Sequence, residues 1–425
     1  MRSYSHERLA VLARDRGLSE TQLRDLRVVS TVLPFKVNDY VVDQLIDWSA
    51  VPDDPIFQLT FPHRDMLSPD IYASIAALLD AEAPREVMRK AAAEAQVRLN
   101  PHPGGQLEAN VPRLGGRPLT GLQHKYPETV LVFPSQGQTC HAYCGYCFRW
   151  AQFVGDADLR QALRDPADLT GYLTGQPRVT DVLFTGGDPL IMKTPVLRRW
   201  VEPLLDPAME QVRTLRFGTK ALSYWPDRFV GDSDADDLLR LFERCVAAGR
   251  HVAVMAHFSH PRELDTPLVR RALERLRATG AVVRSQAPLV RHINDDAGVW
   301  ARMWQRQVEL GVVPYYMFVE RDTGARNFFG VPLAEALGIY TDAVRQVSGL
   351  ARSARGPVMS AFPGKVQVDG VTDIAGERVF ILRLLQARDP ALVGRPFFAA
   401  FDPAAEWFDD LRPALGSWFP GRALP

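Results

Sequence analysis

The chain has 425 residues, of which 46% are hydrophobic, 24% charged and 9% aromatic. This composition excludes an intrinsically disordered chain, a collagen and a long coiled coil. Fifty basic and fifty acidic residues give a formal charge of zero, so we expect neither a nucleic-acid partner nor a membrane-surface partner. The first eight residues lack the apolar run of a signal peptide, and no apolar stretch of about 18 residues occurs, which predicts a cytoplasmic protein without membrane spans.

Residues 1–110 predict an N-terminal helical extension, interrupted by proline-rich connections at 51–55 and 100–105. From residue 130 the pattern changes to short apolar strands that alternate with amphipathic helices. The predicted helices include 236–248 and 267–278, and the predicted strands are 130–133, 182–184, 212–217, 252–256, a strand that begins at 282, and 312–319.

Six strand–helix units predict parallel pairing with right-handed crossovers. The predicted fold class is therefore α/β, with a partial (β/α)6 TIM-like barrel over residues 111–330, in which chemistry gathers at the carboxyl ends of the strands. Residues 331–425 predict a C-terminal segment with a helix near 334–347 and a strand at 379–382. Aromatic pairs in that segment favour an aromatic core, the alternatives being a cover over the barrel mouth and a contact in a homo-oligomer; they are 397–398, 407–408 and 418–419.

Three of the four cysteines, Cys140, Cys144 and Cys147, fall within eight residues directly after the first predicted barrel strand. Such clustering in a large intracellular chain favours metal binding over a disulfide framework. Iron–sulfur clusters are normally held by four thiolates, so three ligands on a four-iron cluster leave one iron open, as in a catalytic site. The alternatives are a zinc site completed by His141, and inert thiols. Cys245, in a predicted helix, is expected to be a small buried core residue.

The spacing of these three cysteines resembles that of the radical S-adenosylmethionine superfamily. The resemblance implies a 4Fe-4S cluster whose open iron binds the amino and carboxylate groups of S-adenosylmethionine and passes it an electron from a donor such as flavodoxin or ferredoxin. A second similar motif, Gly186-Gly187-Asp188, follows the second predicted strand. Glycines allow close approach of the backbone to a ligand, and the resemblance assigns this turn to the methionine amino group of S-adenosylmethionine.

Over residues 40–370 the chain resembles the lysine 2,3-aminomutase family more specifically. This resemblance implies that His257 and Gln286 contact S-adenosylmethionine; the alternative for His257 is a hydrogen-bonded core histidine. The matching stretches keep the family's order and are 122–127, 215–219, 257–263, 285–286, 289–296 and 314–316.

The family resemblance also implies a second cofactor, pyridoxal 5'-phosphate, held as an imine by a lysine late in the chain. Lys365 occupies the matching position, and the sequence has only six lysines. A desolvated lysine loses its proton more easily and attacks an aldehyde; the alternative is a surface lysine in a turn. By the same resemblance Lys125 and Tyr126 grip the phosphate and stack on the ring, while Thr129 replaces a second basic residue.

Substrate contacts follow from the same comparison. Arg149 aligns with the residue that pairs with the substrate carboxylate, a task that suits a bidentate guanidinium. The family meets the ammonium group of lysine with two aspartates. Here Glu320 and Asp322 are rival candidates for the first, with Arg321 between them, and residues 358–360 offer no acid for the second. An ammonium group would lose a buried partner, so free lysine is not the expected substrate.

Three functional hypotheses remain open. The leading one is a radical isomerase that moves an amino group on a small amino-acid-like substrate, with a deoxyadenosyl radical, an imine to pyridoxal phosphate, and Lys365 and Arg149 as catalytic residues. The second keeps the radical chemistry without pyridoxal phosphate, as an epimerase, a dehydrogenase or another rearrangement of a carboxylate-bearing molecule. The third is a zinc-binding or interaction module without enzymatic activity.

Overall fold

The computed structural model describes residues 1–100, 109–154 and 161–421 as a mixed α/β fold built on one eleven-stranded sheet. The strands are β1 (Ser3–Ser5), β2 (Lys36–Asn38), β3 (Arg113–Leu114), β4 (Arg117–Pro118), β5 (Leu122–Tyr126), β6 (Thr129–Val132), β7 (Asp181–Phe184), β8 (Thr214–Thr219), β9 (His251–His257), β10 (Val282–Leu289), β11 (Val313–Val319), β12 (Arg355–Ser360), β13 (Gly364–Ile374), β14 (Glu377–Ala387) and β15 (Pro396–Ala400). The α-helices are α1 (Leu9–Asp15), α2 (Glu20–Val32), α3 (Pro55–Thr60), α4 (Pro69–Asp80), α5 (Arg85–Leu99), α6 (Trp150–Phe153), α7 (Pro166–Thr174), α8 (Thr194–Val201), α9 (Ala221–Tyr224), α10 (Ala235–Ala247), α11 (Pro267–Ala278), α12 (Ala297–Glu309), α13 (Arg326–Phe329) and α14 (Leu333–Arg345).

Seven neighbouring strands of the large sheet, β6 to β12, run parallel, and the sheet continues in antiparallel fashion into β5 on one side and β13 to β15 on the other. Strands β6 to β11 are the six predicted from the sequence. Because β5 and β15 are opposite ends of the sheet and do not pair, the barrel is open, as expected for a partial TIM-like barrel. The strand β12 adds a seventh parallel member that the prediction lacks.

Capping residues and apolar side chains at helical spacing explain why the helices between the strands form. Helix α11 begins at Pro267, where a missing N–H costs nothing, and Thr266 accepts a hydrogen bond from the backbone N–H of Val269. Its apolar stripe has helical spacing and joins the barrel core, and each of its larger side chains contributes about 1.5–3 kcal/mol by leaving water; the stripe is Val269, Ala272, Leu273 and Leu276.

The N-terminal helical segment packs directly on the loop that carries the cysteines. A hydrophobic core unites its buried side chains with Tyr146 and Trp150. The backbones are also tied together, since Tyr143 N–H donates to the Lys36 carbonyl at 2.8 Å and Asn38 Nδ2 donates to the His141 carbonyl at 3.2 Å. The extension therefore shields this loop from water.

The C-terminal strands enclose a separate core of their own. Phe397, Trp407 and Phe408 are buried in it, and Trp418 and Phe419 pack against it, which confirms the aromatic-core interpretation for these side chains. No helix among the described residues combines the length and apolar character needed to cross a membrane.

Candidate active site

The three clustered cysteines lie in the loop between β6 and α6, at the carboxyl edge of the parallel strands. Cys140, Cys144 and Cys147 are free and half-buried. Burial raises the pKa of all three thiols, that of Cys147 to about 12, and the neighbouring thiols raise the pKa of Cys140 and Cys147 further. Buried thiols with raised pKa values become thiolates when they bind a metal cation. The donor set therefore fits an iron–sulfur cluster.

The geometry offers no single-ion site of the kind that the zinc alternative needs. Across residues 1–100, 109–154 and 161–421, no three His, Cys, Asp or Glu side chains are arranged to hold one metal ion together. His141 is buried and burial lowers its pKa to about 3, but it does not complete such a group with the cysteines. In a four-iron cluster each thiolate binds a different iron, so its ligands need not converge on one point.

A buried ion pair and a tyrosine surround Cys144. The Tyr224 hydroxyl is hydrogen-bonded to Cys144 Sγ at 3.3 Å, and Lys220 Nζ lies 4.5 Å from the centre of the Tyr224 ring. Lys220 donates to Glu263 Oε1 at 2.7 Å, and both side chains are buried. Hydrogen bonds and charges beside cluster sulfurs set reduction potentials. The sequence analysis missed this pair, although Lys220 directly follows the family-like stretch 215–219 at the end of β8.

The Gly186-Gly187-Asp188 turn packs against the cysteine loop. A side chain on Gly187 would come within 2.5 Å of the Thr139 backbone, and one on Gly186, whose φ is +143°, within 2.8 Å of Gln138 Nε2. Asp188 N–H donates to the Thr139 carbonyl at 2.8 Å. The sequence analysis explained the glycines by approach to a ligand. In the structure they allow approach to the backbone that carries the cysteines.

The Asp188 carboxylate is buried and fully engaged within the protein. It accepts hydrogen bonds from Thr219 Oγ1 at 2.8 Å and from the backbone N–H groups of Leu190 and Lys220, each at 2.9 Å. Burial raises its pKa to about 6, against the lowering effect of these bonds. Asp188 thus ties the ends of β7 and β8 together. A contact of this turn with S-adenosylmethionine stays a prediction.

His257 and Gln286 become neighbours at the carboxyl end of the sheet. They pair across β9 and β10, and Gln286 pairs in turn with Tyr316 on β11. His257 Nε2 is hydrogen-bonded to the Tyr146 hydroxyl at 2.9 Å. Burial, followed by the charge of Lys220, lowers the pKa of His257 well below its usual value, so the ring is neutral at pH 7. The two residues predicted to contact S-adenosylmethionine therefore share one row of the barrel.

Lys365 is the second residue of β13 and reaches into the open barrel. Its Nζ lies 4.9 Å from the centre of the Tyr316 ring and 5.7 Å from that of Tyr126, and it donates to Gln386 Oε1 at 2.7 Å. Burial, followed by the charge of Arg216, lowers the pKa of Lys365 to about 7. The alternative of a surface lysine in a turn is not what the structure shows. A lysine that is readily neutral between two aromatic rings fits an aldehyde cofactor with a planar ring.

Lys125 enters the same desolvated region from the end of β5. Its Nζ donates to the Ala361 carbonyl, and burial, followed by the charges of Arg388, Arg321 and Lys365, lowers its pKa to about 7. An anion placed here would stabilise several cations at once. Arg388 was missed by the sequence analysis because it lies beyond the family-like stretches, and only the return of β14 brings it beside Lys125.

Arg149 ends the cysteine loop and directly precedes α6. Its guanidinium is buried, with Cζ 4.1 Å from the centre of the Phe133 ring, and its Nη1 has no hydrogen-bond partner within the described part of the chain. Burial lowers the pKa of Arg149 to about 10 although Cys147 raises it. A buried guanidinium without an acceptor is suited to a carboxylate supplied by a ligand.

The acids considered for the substrate ammonium behave differently from each other. Both carboxyl oxygens of Glu320 are buried without a partner among the described residues, and burial, followed by the charge of Glu406, raises its pKa well above its usual value. Glu320 therefore binds its proton more tightly than a solvated glutamate, and it lies near Glu406 and Arg326. Asp322 lies near Arg321 and raises the pKa of that guanidinium.

The sequence was compared with those of known proteins, and several aminomutases are similar to it. A protein of Aquifex aeolicus named "Putative L-lysine 2,3-aminomutase" is 31% identical over 393 residues, which cover 92% of this chain and 91% of the relative. The L-lysine 2,3-aminomutases of Acetoanaerobium sticklandii and Clostridium subterminale are 27% and 26% identical over 272 residues, 64% of this chain and 62% of each relative.

The other comparisons are weaker. A solved radical SAM methyltransferase from Sphaerobacter thermophilus aligns with a TM-score of 0.38 and 14% identity over 55% of this chain and 68% of that chain. No family model matches the chain. The assignment therefore depends on the nearly full-length relative from Aquifex aeolicus, whose alignment includes the cysteine loop, the glycine turn and the barrel strands. The chain belongs to the lysine 2,3-aminomutase family of radical S-adenosylmethionine enzymes.

Proposed function

We propose that this enzyme is an isomerase that moves an amino group between adjacent carbons of an amino acid, with pyridoxal phosphate bound to Lys365. The observation that carries the proposal is the position of Lys365: a desolvated lysine between the rings of Tyr126 and Tyr316, inside the barrel. In the second hypothesis, which works without this cofactor, Lys365 would be a structural residue bound to Gln386 or a ligand of the substrate.

A run of neighbouring groups connects the cysteine loop to Lys365. Arg149 directly follows Phe148, whose ring also lies 5.4 Å from Cζ of Arg321. Arg321 and Tyr126 are close enough for their charges to shift each other's pKa, and Tyr126 flanks Lys365. A substrate held along this run would have one end near the cluster ligands and the other at the lysine.

When bound, the reduced cluster and S-adenosylmethionine supply a carbon radical that takes a hydrogen atom, and pyridoxal phosphate gives the substrate nitrogen a route to the neighbouring carbon. The chain's own residues bind and orient. Cys140, Cys144 and Cys147 would hold the cluster.

The remaining roles in this proposal belong to the barrel interior. Lys365 supplies a neutral amine, and the Tyr126 ring offers a stacking surface. Lys125 supplies a point charge for the phosphate, and Arg388 lies beside it in place of the basic residue replaced by Thr129. Arg149 supplies a two-pronged donor for the substrate carboxylate. The packed N-terminal segment keeps water from the radical chemistry.

Borohydride trapping of pyridoxal phosphate tests the proposal. We expect one adduct, on Lys365, whose yield rises with pH through about 7, because its lowered pKa makes the amine neutral above that value. At pH 6 the yield should be roughly a tenth of the plateau. Mass spectrometry of the trapped protein locates the adduct.

The matched control is Lys90→Gln, which removes an exposed lysine on α5 and should leave the adduct unchanged, whereas Lys365→Gln should eliminate it. A yield that climbs only near pH 10, as for a solvated lysine, contradicts the proposal. Absence of any adduct on Lys365 in protein that still cleaves S-adenosylmethionine would favour the isomerase, epimerase or dehydrogenase that works without pyridoxal phosphate.

A further inference from the structure

Two guanidinium groups meet at one aromatic ring. Cζ of Arg149 lies 5.2 Å and Cζ of Arg321 lies 5.4 Å from the centre of the Phe148 ring. The two guanidinium carbons are therefore no farther apart than the sum of these distances. Arg149 comes from the cysteine loop and Arg321 from the loop after β11, so two separate segments of the fold bring the charges together.

Both guanidinium groups have donors without acceptors. Arg149 Nη1 and Arg321 Nε are buried and have no hydrogen-bond partner in the described part of the chain. Buried donors of this kind are normally satisfied, and no acceptor for these two lies in the described part of the chain, so a ligand anion would satisfy both.

The acids around Arg321 do not offset its burial. Asp322, Tyr126 and Asp409 raise the pKa of Arg321, but burial outweighs them and its pKa is lowered. Lys125 lies on the same side and adds a further positive charge. Another anion would be favoured at this position.

The same surroundings are unfavourable for a cationic side chain. Glu320, the rival acid, is buried near Glu406 and Arg326, its pKa is raised by burial and then by the charge of Glu406, and its oxygens have no partner in the described part of the chain. An ammonium group placed beside Arg321 would be repelled by the positive charge of the guanidinium and would lose part of its hydration.

We propose that the substrate is an acidic amino acid, whose α-carboxylate binds Arg149 and whose side-chain carboxylate binds Arg321. This inference rests on the proposed function, because it takes an amino acid as substrate and Arg149 as its carboxylate ligand. A planar guanidinium matches a carboxylate with two parallel hydrogen bonds, and two such pairs select a dicarboxylate over a molecule with a single acid group.

The cofactor phosphate is the competing ligand for Arg321, because Arg321 is close enough to Lys125 to lower its pKa. The two ligands make different demands on Arg321. If Arg321 binds the cofactor phosphate, its replacement would weaken the binding of pyridoxal phosphate. If Arg321 binds the side-chain carboxylate of the substrate, its replacement would weaken only the binding of the acidic substrate.

Calorimetric titration of the reconstituted holoenzyme tests the inference. The protein carries its cluster, S-adenosylmethionine and pyridoxal phosphate, and no reductant is added, so that binding is measured without turnover. The probes are L-glutamate, L-aspartate, L-glutamine and L-lysine. We expect L-glutamate or L-aspartate to bind at least about tenfold more tightly than L-lysine and L-glutamine, since the site is built for a second carboxylate.

The variants separate charge from packing. Arg321→Gln should raise the Kd of the acidic probe by at least about tenfold, and Arg321→Lys should recover part of the loss because it keeps the charge without the fork. Arg345→Gln, on the exposed face of α14, is the matched control and should bind like the wild type. The affinity for pyridoxal phosphate, followed by its absorbance, should be unchanged in Arg321→Gln.

Each contrary result has a distinct meaning. Tighter binding of L-lysine or L-glutamine by the wild type overturns the inference, and so does an Arg321→Gln variant that loses pyridoxal phosphate affinity and keeps its Kd for the acidic probe. Trapping of pyridoxal phosphate on Lys365 is measured on the same samples. A trapped adduct together with a preference for L-lysine would leave the proposed function standing and refute only the acidic substrate.

Discussion

Replacement of any one of Cys140, Cys144 and Cys147 with alanine is expected to remove the bound iron and to reduce the formation of 5'-deoxyadenosine from S-adenosylmethionine to background. A cluster held by only three protein thiolates has no spare thiolate, because the fourth cysteine, Cys245, is buried in α10. Iron analysis and chromatography of the reaction, both performed without oxygen, measure the two losses.

Cys245→Ala is the matched control for these three variants. Cys245 is fully buried in α10 and packs with the barrel core, far along the chain from the cysteine loop. Its loss should cost about 0.5–3 kcal/mol of unfolding free energy and leave the iron content and deoxyadenosine formation intact. An alanine variant of the cysteine loop that retains iron and activity would refute the assignment of that cysteine.

Arg149→Gln is expected to lower kcat/KM for the amino-acid substrate by roughly 10²–10⁴-fold, because breaking a buried charge pair typically costs about 3–5 kcal/mol. Arg149→Lys should restore only part of this loss, since an ammonium group cannot form the two parallel hydrogen bonds of a guanidinium. Steady-state kinetics with each variant measures the change.

The position of Arg149 beside Cys147 requires a second readout. Iron content and the slow cleavage of S-adenosylmethionine without substrate should remain at wild-type values in Arg149→Gln, because the guanidinium is assigned to the substrate and not to the cluster. An unchanged kcat/KM would contradict that assignment, and a parallel loss of iron would show that Arg149 supports the cysteine loop instead.

Much of the fold was predictable because local pattern and final packing agree. The predicted helix 267–278 has the same bounds as α11, where Pro267 marks the start and the apolar stripe has helical spacing. Strand β12 was missed because it contains Gly356 and Pro357, residues that are depleted in strands. Its place beside β11 depends on tertiary pairing, which no local pattern contains.

In the candidate site too, features with a local sequence signal were predicted and features that depend on tertiary packing were not. The cysteine spacing and the lysine at position 365 could be identified from the sequence because each carries a recognisable motif or alignment. The pairing of Lys220 with Glu263 and the approach of Arg388 to Lys125 join residues far apart in the chain, so the sequence offers no local signal for them. The same holds for the meeting of Arg149 and Arg321 at Phe148.

An iron–sulfur cluster with one open iron, held by the three-cysteine loop, is the feature on which the proposed chemistry depends. The most direct test is to reconstitute the wild-type protein without oxygen, measure its iron, and add S-adenosylmethionine with a reductant. The account predicts about four irons per chain and the appearance of 5'-deoxyadenosine. Protein that takes up zinc instead of iron, or that binds iron and leaves S-adenosylmethionine intact under reduction, would contradict it.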